Sequence, residues 1–461
     1  MAKDIPKEKN NKASGVDMTS GNPTRLILYF ALPLLAGNIL QQLYNMVDSM
    51  VVGNFAAQGV LALAAVGTAF PVIFMITSMF MGVGQGATIV ISQYYGANDL
   101  QSVKRAVDTV YIFLFIASAP IAILGILISR PVLILMNTPP EALPMAVTYM
   151  RIIFAGIIAS FGYNINSGIL QGLGDSKRPL LFLAISTILN IILDLAFVIF
   201  LHWDVAGVAW ATVIAQLFSF LYGLYYINNK GEHFRLSYKN LEFDPGILKE
   251  SIRIGVPAGI QNLLFSVAFM ALQGLINSYG SAFMAGFNGA NKIDAFAFLP
   301  LVSFSVATTT YIGQNVGARR MDRVDQGVKS ALIMSAIVSI LMAAFIIPLG
   351  GFFMRLFSQE AEVIQSGIYY LNRVLPFFIM LATLFVLNGA LRGAGEALVP
   401  MLSSIISMWL ARVPAAYLLA RYFGAKNIYF SYPIGWVLGI AITLPYYLKG
   451  TWKEKAVLRL E

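Results

Sequence analysis

The chain has 461 residues, of which 58% are hydrophobic and only 11% charged, with a formal net charge of +9 and a mean hydropathy of +0.73. Such a composition excludes a soluble globular protein of any domain count and requires a lipid bilayer as solvent. There are no cysteines, which also excludes a disulfide framework, a thiolate nucleophile and a Cys-based metal site.

Residues 1–24 are polar and charged, lack the apolar core of a cleaved leader, and read as a cytoplasmic N-terminal tail. A helix crossing about 30 Å of hydrocarbon needs roughly 20 apolar residues, and twelve runs of that kind follow. The first, 25–53, carries Gln41, Asn45 and Asp48 beyond Pro33, and the second, 60–92, carries Gly82 and Gly86. These two glycines are spaced for close helix packing. The intervening Gly-x-Gly is no nucleotide loop, because no Walker lysine follows it. After 105–128, the fourth run, 142–172, holds Tyr149, Arg151, Asn164, Asn166 and Ser167; Asn190 and Asp194 fall in 178–202, and Thr212 in 206–227. A charged linker, 229–246, precedes six more runs: 247–279, 282–313 with Lys292 and Asp294, 325–350, 362–391 with Arg373, 397–421 with Arg412, and 429–449. A short cytoplasmic tail, 451–461, ends the chain. Runs above 25 residues that contain Pro33, Pro71, Pro257 or Pro300 predict kinked or tilted helices. Both histidines, His202 and His233, fall in loop-like segments, leaving a histidine-based enzyme little to stand on.

With both termini placed in the cytoplasm, 23 of the 31 Lys and Arg residues fall on inside segments, Arg392 among them. This asymmetry sets the orientation and accounts for the positive charge without a nucleic-acid partner. The two halves are also copies. Gln93-Tyr-Tyr-Gly-Ala97 aligns with Gln314-Asn-Val-Gly-Ala318, and at the same 221-residue offset Gly168-Ile-Leu-Gln-Gly-Leu-Gly-Asp175 aligns with Gly389-Ala-Leu-Arg-Gly-Ala-Gly-Glu396. Six spans per copy is an even number, so the copies share one orientation, related by an axis along the membrane normal. The expected fold is an all-α integral membrane protein of twelve transmembrane helices in two six-helix lobes, 25–228 and 247–450. A duplicated bundle of this type marks a secondary transporter, and without a phosphate-binding loop its energy must come from an ion gradient.

An ionisable group inside a span costs at least about 2.5 kcal/mol, so each is a functional candidate. In the second half Lys292, Asp294, Arg373 and Arg412 resemble a buried network of mutually neutralising charges. In the first half, a rise of about 1.5 Å per residue puts Asp48, Asp194 and Thr212 in one layer, roughly 8 to 12 Å from the outer end. Asn190 and Asp194, four residues apart, share a helix face. Two carboxylates with Asn and Thr oxygens could hold Na⁺, or share a proton. Arg151, at similar depth, is the base available to neutralise one of them.

On these residues the chain resembles the multidrug and toxic compound extrusion (MATE) family. The likeness runs from residue 18 to 450, and its carriers are Pro33 to Gly53, the Gln-x-x-Gly-Ala blocks at 93 and 314, and Leu189-Asn-Ile-Ile-Leu-Asp194. The resemblance implies a non-enzymatic exporter of organic cations and other amphipathic drugs, needing no cofactor and exchanging its cargo for H⁺ or Na⁺. It is most similar to the branch typified by DNA-damage-inducible protein F. That branch's ion site corresponds to Asp48, Asn190, Asp194 and Thr212, its helix-1 bend to Pro33, and its cleft lining to Gln41, Tyr149 and Asn164, with Ser167 replacing a second asparagine. The norfloxacin-resistance branch uses acids on helices 7 and 10, where this chain has none. At the repeat offset Asn190 becomes Ala411 and Asp194 becomes Ala415, so ion coupling is expected in the first lobe alone. The chain is expected to act as a monomer in the cell membrane. Two rivals are a lipid-linked precursor flippase of the same architecture and a membrane receptor or scaffold that transports nothing.

Overall fold

The computed structural model describes residues 15–56, 59–229 and 241–457; residues 1–14 and 458–461 of the expected tails and most of the expected linker, with His233, lie outside the described residues. The first half forms α1 (Pro23–Phe55), α2 (Gly59–Gly96), α3 (Leu100–Leu135), α4 (Leu143–Ala155 and Ile157–Gly172), α5 (Lys177–Leu195, extended by a π-helical turn at Ala196–Phe200) and α6 (Asp204–Asn228). The second half repeats the series as α7 (Pro245–Asn277), α8 (Ser281–Gly317), α9 (Met321–Arg355), α10 (Ala361–Val374 and Phe378–Gly393), α11 (Leu398–Ile405 and Val413–Phe423, joined by a π-helical Ile406–Arg412) and α12 (Ser431–Lys449). Among the described residues eleven helices are long and apolar enough to cross a membrane, and the bent α4 makes a twelfth. Their lipid-facing sides are apolar, as a bilayer solvent demands: Leu127, Ile188, Leu221, Leu341 and Leu410 are all exposed.

Among the described residues the one broken span lies away from the four prolines singled out above. The chain stays helical through Pro33, Pro71, Pro257 and Pro300, because a membrane helix loses one hydrogen bond at proline and neighbouring helices can compensate for it. The bend is in α4, where the segments on either side of Gly156 meet at 51°. Gly156 packs against the Val213 side chain of α6, with no room for a Cβ.

The repeat is visible in the packing. Asp175 Oδ1 accepts from the Lys177 and Arg178 backbone N–H groups at 3.2 Å each, and Glu396 Oε1 accepts from Leu398 and Val399 at 2.8 and 3.2 Å. Both acids thus cap the helix that follows, satisfying donors that a helix start leaves free. The repeated Gln-x-x-Gly blocks form a reciprocal clasp. Gln93 Nε2 donates to Gly393 O at 2.9 Å while its Oε1 accepts from Val457 N at 2.8 Å. Gln314 Nε2 donates to Gly172 O at 3.1 Å and its Oε1 accepts from Met18 N at 3.0 Å. Each glutamine therefore grips the opposite half and one terminal segment. Both described termini lie at this end, called the terminal end below.

Two further contacts join the halves. Gly82 and Gly86 of α2 face Ser251, Gly255 and Gly259 of α7, so closely that a Cβ on Gly82 would stand 2.4 Å from the Gly255 carbonyl oxygen. This is the close small-residue packing that the spacing predicts. The terminal half of α1 also crosses to the second half, with Asn38 Nδ2 donating to Ser303 Oγ at 3.1 Å and Thr24 Oγ1 to Ser330 Oγ at 3.0 Å. A cluster of Met18, Ile27, Phe30, Tyr311, Val324 and Trp452 seals this crossing. Buried Arg323 fastens the segment before α1, donating to Asn315 Oδ1 at 3.0 Å, Gly21 O at 2.9 Å and Met18 O at 3.2 Å. Arg323→Ala would strand these acceptors, and we expect a loss of about 2 kcal/mol or more, read as a lower thermal unfolding midpoint of the detergent-purified protein.

Candidate functional site

Four helices of the first lobe bring their polar groups to one point near the end opposite the termini. Asp48 projects from α1, Asn190 and Asp194 from successive turns of α5, and Thr212 from α6; Asn190 and Asp194 are fully buried. The Asn190 amide nitrogen, in the orientation its neighbours dictate, donates to Asp48 Oδ1 at 2.8 Å and to Asp194 Oδ2 at 3.2 Å. One amide thus bridges two carboxyl groups, which also lie within hydrogen-bonding reach of each other. The Tyr44 hydroxyl meets Thr212 Oγ1 at 3.1 Å and also reaches Asp48, while Tyr149 of α4 stands near both acids. Asp194 Oδ1 is buried with no hydrogen-bond partner.

This cluster carries acid without base. Among the described residues no Lys or Arg forms an ion pair with Asp48 or Asp194. Arg151, the sequence candidate for that role, is exposed. A buried pair of acids in a low-dielectric bundle needs a balancing proton or metal cation. Carboxylate and hydroxyl oxygens are hard donors that Na⁺ takes, and the unpartnered Asp194 Oδ1 leaves a coordination position free. Chemically, the cluster can accept and release a small cation.

The other sequence candidates are more dispersed. Gln41 Nε2 donates to Asn45 Oδ1 at 3.4 Å, and Asn164 turns back to its own helix, donating to Ser160 O at 2.8 Å. Ser167 Oγ is buried without a partner. Asn166 pins helices together, accepting a short hydrogen bond from the Tyr111 hydroxyl and donating to Phe220 O at 2.8 Å. α1 is continuously helical through Pro33.

Among the described residues Lys292, Asp294, Arg373 and Arg412 make no direct ion pair with one another, although Asp294 and Arg412 are close enough to interact electrostatically. Lys292 lies 5.7 Å from the Phe357 ring centroid, Arg373 lies over Tyr369 and Phe430 at 4.9 and 5.6 Å, and Arg412 stacks on Tyr432 at 3.5 Å. With a single acid among them, aromatic faces take the place of carboxylates. Asp294 instead accepts from the Tyr370 hydroxyl at 2.9 Å.

A cavity of about 610 Å³ lies between the lobes, lined by α2 and α4 on one side and by α7, α8, α10, α11 and α12 on the other. None of Gln41, Tyr149, Asn164 or Ser167 lines it. Sequence reasoning missed Arg392 here. Counted as an inside-loop charge, it is instead part of α10 and lines the cavity, as does Gln171, its counterpart in the repeat. That pairing was the available signal, because it matches a cavity position in one half with an arginine in the other.

Comparison with known proteins agrees with this geometry. The MatE family model matches residues 33–196 and 257–418, one copy in each half. A probable multidrug resistance protein, YpnP, of Bacillus subtilis is 30% identical over 443 residues, covering 95% of this chain and 97% of the relative. Two solved structures informative for conformation are an outward-facing multidrug resistance MATE family transporter and a MATE protein in a bent conformation. Both are 25% identical and cover 96% of this chain, with TM-scores of 0.89 and coverage of 100% and 99% of the respective chains. On the two family matches, the shared twelve-helix fold and the near full-length likeness to YpnP, the chain belongs to the MatE family of multidrug and toxic compound extrusion transporters.

Proposed function

We propose that this chain exports organic cations and other amphipathic compounds in exchange for H⁺ or Na⁺, with the ion held by Asp48, Asn190, Asp194 and Thr212. The observation that carries the reading is the amide-bridged pair of acids without a base, a cluster that is electrically complete only with a cation bound. Its residues are those of the branch resembled by the sequence, which supports placing coupling in the first lobe. The Lys and Arg bias puts the terminal end in the cytoplasm. The glutamine clasp and the α2–α7 glycine crossing close that end, so this state faces outward.

The cycle follows from linkage. In the outward-facing state the ion enters beside Asp194 Oδ1, and loading the cluster changes what α1 packs against, since Asp48 and Tyr44 both sit on that helix. Bending at Pro33, where the backbone ladder already lacks one N–H, lets α1 close on the lobe and displace the drug outward. The ion-loaded protein then opens at the terminal end, releases its ion and accepts the next drug. Ion and drug must prefer opposite states, since a ligand without differential affinity shifts no equilibrium. A flippase would need no such antagonism, and a scaffold no flux at all. In inside-out vesicles we expect uptake of ethidium when a pH or Na⁺ gradient is imposed and none when both are collapsed. Uptake that persists without either gradient overturns the antiport reading.

A further inference from the structure

Of the helices that supply the ion cluster, α1 alone packs extensively against the second half. Its outer part carries Tyr44 and Asp48 into the cluster, while its terminal part runs along α8 and α9. α5 and α6, which supply the other ligands, pack mainly within the first half. Any change that ion loading makes to α1 therefore has a direct route across the protein. The far end of that route is held from the second half. Met18, in the segment before α1, is fully buried; its N–H donates to Gln314 Oε1 at 3.0 Å, and its carbonyl accepts from Asn315 Nδ2 at 3.0 Å and Arg323 Nη2 at 3.2 Å. Arg323, 7% exposed, also donates Nη1 to Gly21 O at 2.9 Å and Nε to Asn315 Oδ1 at 3.0 Å. No carboxylate pairs with it among the described residues. Buried without an acid, this guanidinium is solvated by the backbone of one segment, so the charge and the segment hold each other in place. At the repeat offset Ser102 takes its position, so only the second half has this hold. Toward the first half the same segment donates Val16 N to Gly174 O at 3.0 Å. A bend at Pro33 would thus act between a start fixed on the second half and an outer part fixed on the ion cluster.

We propose that Arg323 is a positioning residue for coupling: it anchors the start of α1 to the second half through Met18 and Gly21, and the anchor stays attached throughout the cycle. A change of α1 at the ion cluster is thereby delivered to the opposite lobe. The inference rests on the exchange reading and adds the route by which the ion's effect crosses between the lobes. A helix passes on a displacement only if its far end is held. Freed there, α1 would follow the ion cluster and leave the drug's affinity unchanged, because coupling needs a connected element that both sites bias. The opposite device would be a latch that lets go of the second half whenever the terminal end opens. The geometry favours an anchor, since the segment's buried side-chain bonds lie on the second half, the side on which the first turns of α1 also pack through Thr24 and Ser330.

The test uses the full chain, with ethidium as the drug. Its dissociation constant is measured with and without the coupling ion, by a pH step and separately by Na⁺. In Arg323→Ala the ion-dependent change should shrink from the roughly 5- to 150-fold usual for coupled sites to about twofold or less. Ethidium affinity without the ion should stay, as should the rise in unfolding midpoint that the ion itself brings. A merely structural arginine would lower the midpoint and leave the ratio alone, which overturns the inference. Thr24→Cys with Ser330→Cys supplies a covalent anchor instead, since the two native hydroxyl oxygens are 3.0 Å apart and the chain has no other thiol. Oxidised in the Arg323→Ala background, this pair should restore the wild-type ratio, and reduction should remove it again; a ratio that oxidation does not restore overturns the anchor. Oxidised in the otherwise wild-type chain, the pair should leave gradient-driven ethidium transport in vesicles at the rate of the reduced form. Arrest on oxidation, reversed by a reductant, would mean that the start of α1 must leave the second half, and it too overturns the anchor. Should Arg323→Ala fail to fold, that last comparison decides the matter alone. A wild type whose ethidium affinity ignores both ions refutes the exchange reading, whereas ion dependence that is equal in the wild type and Arg323→Ala refutes the anchor and leaves exchange standing.

Discussion

Asp194→Asn and Asp48→Asn are each expected to reduce gradient-driven drug accumulation by roughly 5- to 150-fold, the range set by coupling free energies of about 1–3 kcal/mol. Asparagine keeps the shape of the carboxyl group and can still hydrogen-bond to Asn190, whose amide now bridges both acids. What it removes is the ionisable carboxyl group on which the proposed cation exchange depends. Drug binding to the purified variants should therefore survive while gradient-driven transport is lost, a split that global unfolding would not produce. Wild-type accumulation by both variants would move ion coupling out of this cluster. Asn190→Ala should be nearly as damaging for another reason, because it leaves two buried carboxyl groups facing each other without the donor that bridges them.

Gly96→Ala and Gly317→Ala should shift the protein toward the state open at the terminal end. A Cβ on Gly96 would stand 1.9 Å from the Gln314 carbonyl oxygen, and one on Gly317 would stand 1.9 Å from that of Gln93. Both obstacles are backbone atoms of the opposite lobe, so no side chain can swing away and the helix ends must separate. Overpacking of this kind costs about 1–3 kcal/mol, and here the cost falls only on the state in which the lobes touch. That differential is what shifts a conformational equilibrium. Because the chain has no cysteine, a single thiol introduced at Thr309, which lines the cavity, reports access directly. We expect an impermeant maleimide added from the cytoplasmic side to label it about tenfold faster in either glycine variant. Gly84→Ala is the control, since a Cβ there meets nothing within 4 Å and labelling should not change. Unchanged labelling in Gly96→Ala would mean that this contact does not hold the terminal end shut.

The twelve spans, the duplicated halves and the meeting of Asp48, Asn190, Asp194 and Thr212 were all legible in the residues. Each rests on a strong physical signal: apolar length for the spans, one constant offset for the repeat, and the cost of burying charge for the acids. Gly82 and Gly86 were legible for a similar reason, since their spacing allows two backbones to touch. Other features were hidden because they depend on what lies across a contact. Four prolines drew attention as kink sites, while the break at Gly156 went unforeseen, because its place against Val213 is revealed only by the tertiary packing. Lys292, Arg373 and Arg412 were expected to seek carboxylates, but aromatic rings are far more numerous in this lobe and take most of that role. Arg392 sits at the end of its helix, where a count of loop charges absorbs it and the cavity beside it is invisible.

Exchange of this kind needs antagonism between one small cation and the drug, and equilibrium binding measures that without any assumption about flux. Ethidium affinity of the purified protein should be titrated against pH and, separately, against Na⁺, in the wild type and in Asp194→Asn. We predict that the dissociation constant of the wild type rises as the coupling ion is added, and that the Asp194→Asn line is flat. Equal slopes in the two proteins, or no dependence on either ion in the wild type, would contradict the assignment of the ion to this cluster.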